Sequence, residues 1–263
     1  MVDVRQGRIL TWSLEAHVAD GCNLRCAHCC TLSPYLPGRF TSAADLGRDL
    51  ALARQALAPN VFKVTGGEPL LHPDIVGVLE AARASGISER IQVTTNGFLA
   101  RTAPDGFWGL IDRLTLSLYP SAPLPGDTIA YVRERCAERN VVLTEKRVSE
   151  FSVMDAHPPG NADERAREVY RECWLKNRCH MVHRGRFYVC TRPPHLEARL
   201  LQLGKRAPLS EKDGADLDGP DLARRILALL ESPEPLASCT YCLGASGCTR
   251  AHEQLPRRTA SRL

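Results

Sequence analysis

The chain has no run of eighteen or more apolar residues, and its N-terminus has no basic region followed by an apolar stretch and a cleavage site. Neither a membrane span nor an export signal is therefore expected, and the expected location is cytoplasmic. Lysine is scarce, with five residues beside 29 arginines, and like charges nowhere run together. With a formal net charge of only +4, that interspersion argues for a solvated surface and against a nucleic-acid partner. Arg257, Arg258 and the residues after them read as a frayed end rather than an interaction arm. Internal repeats are absent. The remainder is ordinary, 44% hydrophobic and 24% charged in 263 residues, enough for one large domain or one domain with an appendage.

Cysteine is abundant instead. Eleven thiols in a chain without an export signal argue for metal rather than a disulfide framework. Cys22, Cys26, Cys29 and Cys30 open the chain, and Cys173, Cys179, Cys190, Cys239, Cys242 and Cys248 close it. Cys136 stands alone in a helix-like segment and reads as an inert buried thiol. The first three are spaced CX3CX2C in a loop after the apolar-leaning run 12–19. A [4Fe-4S] cluster is normally held by four thiolates, so three from one loop leave one iron open to a small molecule. A structural zinc is the alternative, with His17 or His28 as fourth ligand. About forty residues on, 61–70 read as a strand running into the glycine turn Gly66-Gly67-Glu68-Pro69.

Together these two motifs resemble the radical S-adenosylmethionine (radical SAM) superfamily. There CX3CXΦC holds the cluster, with Φ usually aromatic; here Φ is His28, a departure from the pattern. The resemblance implies that Cys22, Cys26 and Cys29 ligate the first cluster. It also implies that the backbone and acid of Gly66, Gly67, Glu68 and Pro69 hold the amino group of SAM. Ser117 would contact its ribose, with Asn96 on the same rim. Reductive cleavage of SAM, fed by a flavodoxin-like electron donor, would then give a 5′-deoxyadenosyl radical that removes an unactivated hydrogen atom.

Strands are expected at 61–64, 91–95, 113–118 and 141–144, with helices from Ser42 to about Pro59, from Asp74 to Gly86, around 105–111 and at 131–139. Counting the strand before Cys22, this gives five βα units, a possible sixth strand at 151–154, and a parallel sheet with right-handed crossovers. The superfamily's partial (β/α)6 TIM-like barrel, an α/β fold, has this plan, with function at the C-terminal strand ends. His157-Pro-Pro-Gly-Asn161 breaks the pattern. The expected units are a barrel at 1–157, a Cys-rich unit at 158–253 and a tail at 254–263. In the second unit 162–172 and 221–231 read as helices, 180–189 as a hairpin turning at Arg184-Gly185, and 203–219 as a polar loop.

The spacing from Cys173 through Gly185 to Cys190 is similar to the SPASM and twitch appendages of radical SAM enzymes. Cys239-X2-Cys242-X5-Cys248 resembles the start of a SPASM element, but His252 stands where the next cysteine is expected. The shorter twitch unit, with one auxiliary [4Fe-4S] cluster held by Cys173, Cys190, Cys239 and Cys242, is the expectation. Cys179 could replace Cys173, and four thiolates would also suit zinc.

The resemblance extends to radical SAM enzymes of sugar and aminoglycoside antibiotic biosynthesis, such as 2-deoxy-scyllo-inosamine dehydrogenase and neomycin C epimerase. It implies a small-molecule substrate, a sugar or aminocyclitol, attacked at a carbinol or ring C–H. An oxidation needs a base, for which Arg147 or Lys146 is placed, although arginine is a poor one. An epimerisation needs a thiol hydrogen donor, for which Cys248 and then Cys179 are candidates; this surplus of thiols tilts the expectation toward inversion. Modification of a ribosomally made peptide is the alternative, disfavoured because only 21 residues precede Cys22. A non-catalytic metal scaffold leaves the glycine turn unexplained. Glu145, His183, Tyr188, Arg192 and His195 are polar residues that spacing alone cannot separate from surface.

Overall fold

The computed structural model describes residues 3–155 and 163–256. The expected break at 157–161, the domain boundary beside it, and Arg257 onward lie outside the described residues. Five parallel strands, β1 (Leu14–Ala19), β2 (Phe62–Gly66), β3 (Ile91–Thr95), β4 (Arg113–Leu118) and β5 (Val142–Arg147), stand side by side in chain order. The helices between them are α1 (Ala43–Ala53), α2 (Ile75–Ser85), α3 (Asp105–Gly109) and α4 (Gly126–Glu138). This is the α/β plan of a partial TIM-like barrel.

Residue parity explains the layering. Phe62 and Val64, Ile91 and Val93, and Leu114 and Leu116 are buried in one apolar cluster with Leu46 and Leu50 of α1, Val78 and Leu79 of α2 and Val132 of α4. The other parity is polar, with Thr65, Thr94 and Ser117 lining a cleft inside the curve of the sheet. Period-2 alternation therefore separates core from site in each strand. Helix ends follow their caps: Ser42 Oγ accepts from Asp45 N at 3.0 Å, Asp74 Oδ1 accepts from Gly77 N at 3.0 Å, and Gly86 closes α2 at φ +60°.

Three expectations are corrected. The first helix stops at Ala53, and Leu57–Pro59 pairs instead with Arg8–Thr11. Leu57 is fully buried either way, so its helical spacing from Leu46, Leu50 and Ala53 was no guide. Second, 151–154 do not form a sixth barrel strand: β6 (Glu150–Ser152) leaves the sheet and pairs antiparallel with Thr249–Ala251. Third, the loop at 203–219 contains the short helix Leu209–Asp213 and the strand Gly214–Asp216.

After α5 (Asp163–Glu172), the expected hairpin forms as β7 (His180–His183) and β8 (Arg186–Tyr188), and β7 lies parallel against β1. Gly214–Asp216, β9, adds to β8, giving one eight-stranded sheet in the order β9-β8-β7-β1-β2-β3-β4-β5. The sixth parallel strand thus comes from beyond the expected break. α6 (Arg192–Gln202) and α7 (Leu222–Leu230) follow β8 and β9, and Thr249–Ala251 is β10. Among the described residues no helix is long and apolar enough to cross a membrane.

Candidate metal and cofactor site

The cysteine loop leaves β1 and is fastened on two sides. On one, Gly67 N–H donates to Ala19 O at 2.7 Å and Glu68 N–H to Gly21 O at 2.9 Å. On the other, Ala27 N–H donates to Glu253 O at 2.9 Å, Arg25 N–H to Gln254 Oε1 at 2.7 Å, and Gln254 Nε2 to Cys26 Sγ at 3.3 Å. Asn96 Nδ2, after β3, donates to Asn23 Oδ1 at 2.7 Å and reaches Cys22 Sγ at 3.6 Å.

A cleft of about 200 Å3 is lined by Cys22, Cys26 and Cys29, by Gly66 and Gly67, and by Asn96 and Ser117. The structure thus brings these predicted residues together at the C-terminal strand ends. Burial pushes Cys22 up to about 12, and Glu68, Cys29 and Cys26 push it the same way. Burial raises Cys26 as well, so a cationic centre would favour the thiolate form of both. Among the described residues no three His, Cys, Asp or Glu side chains converge on a point that could hold a single ion.

Other predicted residues stand elsewhere. Glu68 is fully buried, and its carboxylate does not line the cleft. Oε1 accepts from Thr95 Oγ1 at 2.6 Å and Leu70 N at 3.0 Å, and Oε2 accepts from Asn96 N at 2.8 Å. It ties the glycine turn to the end of β3. Glu68→Gln should cost about 1–3 kcal/mol of stability while changing SAM affinity only a few-fold. Calorimetry and isothermal titration would check this, and a hundredfold loss of affinity at unchanged stability would return the carboxylate to the cleft. Pro69 opens the 3-10 turn Pro69–Leu71, also off the cleft. His28 takes φ +59°, a conformation histidine tolerates better than most residues, and its side chain does not line the cleft either.

Arg147 is corrected by parity. Since β5 runs to Arg147, Lys146 faces the cleft while Arg147 lies over a surface hollow beside Pro123 and Ile129. Spacing had not singled out Cys30, Tyr119 and Phe151, which line the cleft too. The Tyr119 and Phe151 rings stack 6.0 Å apart, and His252 stacks on Tyr119 at 4.6 Å. Tyr119 had a signal, as it directly follows the strand β4.

Cys173, Cys190, Cys239 and Cys242 line a second cavity with Val169, Tyr170 and Leu236. Burial drives Cys190 well above the ordinary thiol range, and the three other sulfurs add to it. As in the first loop, crowded dry sulfurs fit a cationic cluster. The 3-10 turn bearing Cys239 is fixed by buried Asp213, which accepts from Ala237 N at 2.7 Å and Ser238 N at 2.8 Å. Cys179 does not join this set; it hydrogen-bonds Glu15 on β1. Cys248 is exposed and lines neither cavity, with its carbonyl accepting from Val153 N at 2.8 Å.

His183 and His195 are packed with His17 rather than around the cleft. His17 Nδ1 and His195 Nε2 lie 2.5 Å apart with rings stacked, and His183 meets His195 edge-on at 5.6 Å. Burial lowers His17 to about 3 and His183 to about 4, and a second contribution acts the same way, from the adjoining His183 ring on His17 and from the Arg184 guanidinium on His183. Both folded values lie below the unfolded value of about 6.5. Their neutral packing is therefore fully stabilising above that pH and loses about 2 kcal/mol per histidine by pH 5. The unfolding midpoint of the anaerobic holoenzyme should drop by roughly 10 °C from pH 7 to pH 5; an unchanged midpoint would contradict a neutral trio.

The sequence pattern of the Radical SAM superfamily matches residues 17–140. GTP 3′,8-cyclase of Trichodesmium erythraeum is 32% identical over 112 residues, 40% of this chain and 34% of that protein. The enzyme of the same name from Streptomyces coelicolor is 34% identical over 119 residues, 43% of this chain and 34% of that protein. The chain thus spans about a third of the length of these curated relatives. Among solved structures, BtrN in complex with AdoMet and 2-DOIA superposes with a TM-score of 0.55 at 16% identity, covering 91% of this chain and 96% of that one.

Proposed function

We propose that this protein, whose residues 17–140 match the Radical SAM superfamily, is an enzyme that holds a [4Fe-4S] cluster through Cys22, Cys26 and Cys29, binds SAM at the iron they leave open, and abstracts hydrogen from a carbinol or ring C–H of a sugar or aminocyclitol. The supporting observation is that those sulfurs, Gly66, Gly67, Asn96 and Ser117 share one cleft with a pair of aromatic rings. When bound, the cluster and SAM supply a 5′-deoxyadenosyl radical, with the electron coming from a flavodoxin-like donor. The protein's part is placement and exclusion of water. The backbone of Gly66 and Gly67 presents polar groups to the amino-acid end of SAM, and the Ser117 hydroxyl meets its ribose. Tyr119 and Phe151 offer flat apolar faces to a sugar ring, and Lys146 donates hydrogen bonds to its hydroxyls.

The outcome the geometry supports best is oxidation to a ketone. Both donor thiols that favoured inversion, Cys248 and Cys179, lie off the cleft, whereas the four-cysteine cavity suits an auxiliary [4Fe-4S] cluster able to accept an electron. The stretch 163–253 bears these four cysteines, and its hairpin strand β7 lies parallel against β1. Oxidation would take from the substrate one hydrogen atom, one electron and the hydroxyl proton; Cys173, Cys190, Cys239 and Cys242 would hold the group able to accept the electron, and the proton would leave to solvent at the cleft mouth. BtrN, whose fold this chain shares, is seen with AdoMet and 2-DOIA bound, which supports this substrate class. The match to GTP 3′,8-cyclases spans only a third of those enzymes and bears on the shared radical chemistry.

Inversion is a second reading for one reason: Cys30, which is not among the cluster ligands, lines the cleft. Turnover of candidate aminocyclitols in deuterated water separates the two. A ketone without solvent deuterium at that carbon supports oxidation, and an inverted carbon bearing deuterium, lost in Cys30→Ala, supports inversion.

A further inference from the structure

Arg192 is only 2% exposed, and the chemistry in the cleft gives it no task. It opens α6 two residues after Cys190. Its Nη1 donates to the Cys30 carbonyl at 2.9 Å, its Nη2 meets the Asp155 carboxylate, and the guanidinium hydrogen-bonds the Cys242 sulfur. Its Nε is buried with no hydrogen-bond partner among the described residues, and the side chain lines the four-cysteine cavity. Asp155 is fixed beside it, because its backbone bridges that of Cys242. One dry cation thus touches both cysteine groups: the carbonyl next to Cys29 and a sulfur of the second set.

Arginine keeps its charge at any working pH. A fixed positive charge on a ligand sulfur favours the reduced cluster, which carries one more electron, and hydrogen bonds to the sulfurs raise the potential in the same sense. Burial strengthens both effects. We propose that Arg192 is a positioning residue that raises the reduction potential of the auxiliary cluster and fixes Cys242 relative to the first cysteine loop. This rests on reading Cys173, Cys190, Cys239 and Cys242 as cluster ligands. In the oxidation, the substrate carbon radical gives one electron to the auxiliary cluster and becomes a carbonyl as its hydroxyl proton leaves to solvent. The reduced cluster then returns the electron to an external carrier of the flavodoxin type. The higher potential favours the first of these transfers.

The experiment is a redox titration of the anaerobically reconstituted full chain, followed by electron paramagnetic resonance. Arg192→Met should retain its iron and its first-cluster potential but lower the auxiliary potential by about 59 mV or more, a tenfold change in a one-electron equilibrium. Arg192→Lys, which keeps the charge and loses the fork, should fall between. An Arg192→Met protein with full iron and an unmoved potential overturns the proposal. Should that variant fail to hold iron, Arg192→Lys and Asp155→Asn decide: the first should lower the potential and the second, which removes the counter-charge, should raise it. No movement in either also overturns the proposal. Zinc in place of the auxiliary cluster in the wild-type chain is a different result, and it removes the ligand reading on which the proposal stands.

Discussion

Replacing Gly67 by alanine should abolish SAM cleavage, lowering 5′-deoxyadenosine release by about 10^3-fold or more, the equivalent of ~4 kcal/mol. A Cβ on Gly67 would lie 2.1 Å from the Gly21 carbonyl oxygen and 2.8 Å from Ser33 Oγ. The first is backbone of the cysteine loop and cannot rotate away. Gly66, at φ +136°, would put a Cβ 2.3 Å from Ala19 O. The chain approaches itself this closely because Gly67 and Glu68 N–H groups bond the end of β1 and the loop beyond it. Alanine would push the glycine turn off the loop, separating the face proposed to meet SAM from the sulfurs proposed to hold the cluster. Gly47→Ala is the control: its Cβ meets only Ala81 Cβ at an ordinary 3.6 Å inside a helix, and activity should be unchanged. A Gly67→Ala protein that cleaves SAM at the wild-type rate would show that this close approach is not required.

Cys190→Ala should uncouple the reaction. SAM cleavage depends on the first loop and should continue, whereas ketone formation should fall by about two orders of magnitude, since an uncompensated ~3 kcal/mol in the barrier has that effect. Cys190 has Cys242, Cys239 and Cys173 all around it. Chromatography of both products from one anaerobic incubation would read the two yields together. Parallel loss of deoxyadenosine and ketone would mean that the second cavity supports the fold rather than the chemistry. Unchanged ketone would remove it from the electron path.

Much of this was legible in the sequence. The strands at Ile91–Thr95 and Arg113–Leu118 have the expected ends because each is a short alternating run bounded by turn residues. Cys22, Cys26, Cys29, Gly66 and Gly67 meet because they follow two neighbouring parallel strands, which the βα order already implies. What was hidden depends on partners distant in sequence. β6 pairs with β10 about a hundred residues later, and nothing within 151–154 signals that. Three extra residues at the end of β5 decide that Lys146 and not Arg147 faces the cleft. Glu68 has an acid's charge but is enclosed by three donors that converge only in the folded chain. Cys173 and Cys179 looked interchangeable by spacing, until the fold turned one to the second cavity and the other to Glu15.

The most direct measurement is electron paramagnetic resonance of the reduced, anaerobically reconstituted protein before and after SAM is added, with Cys26→Ala beside it. A cluster signal that changes shape on adding SAM, accompanied by 5′-deoxyadenosine and absent from Cys26→Ala, is the predicted result. Zinc in the first loop, or an iron signal there indifferent to SAM, would contradict it.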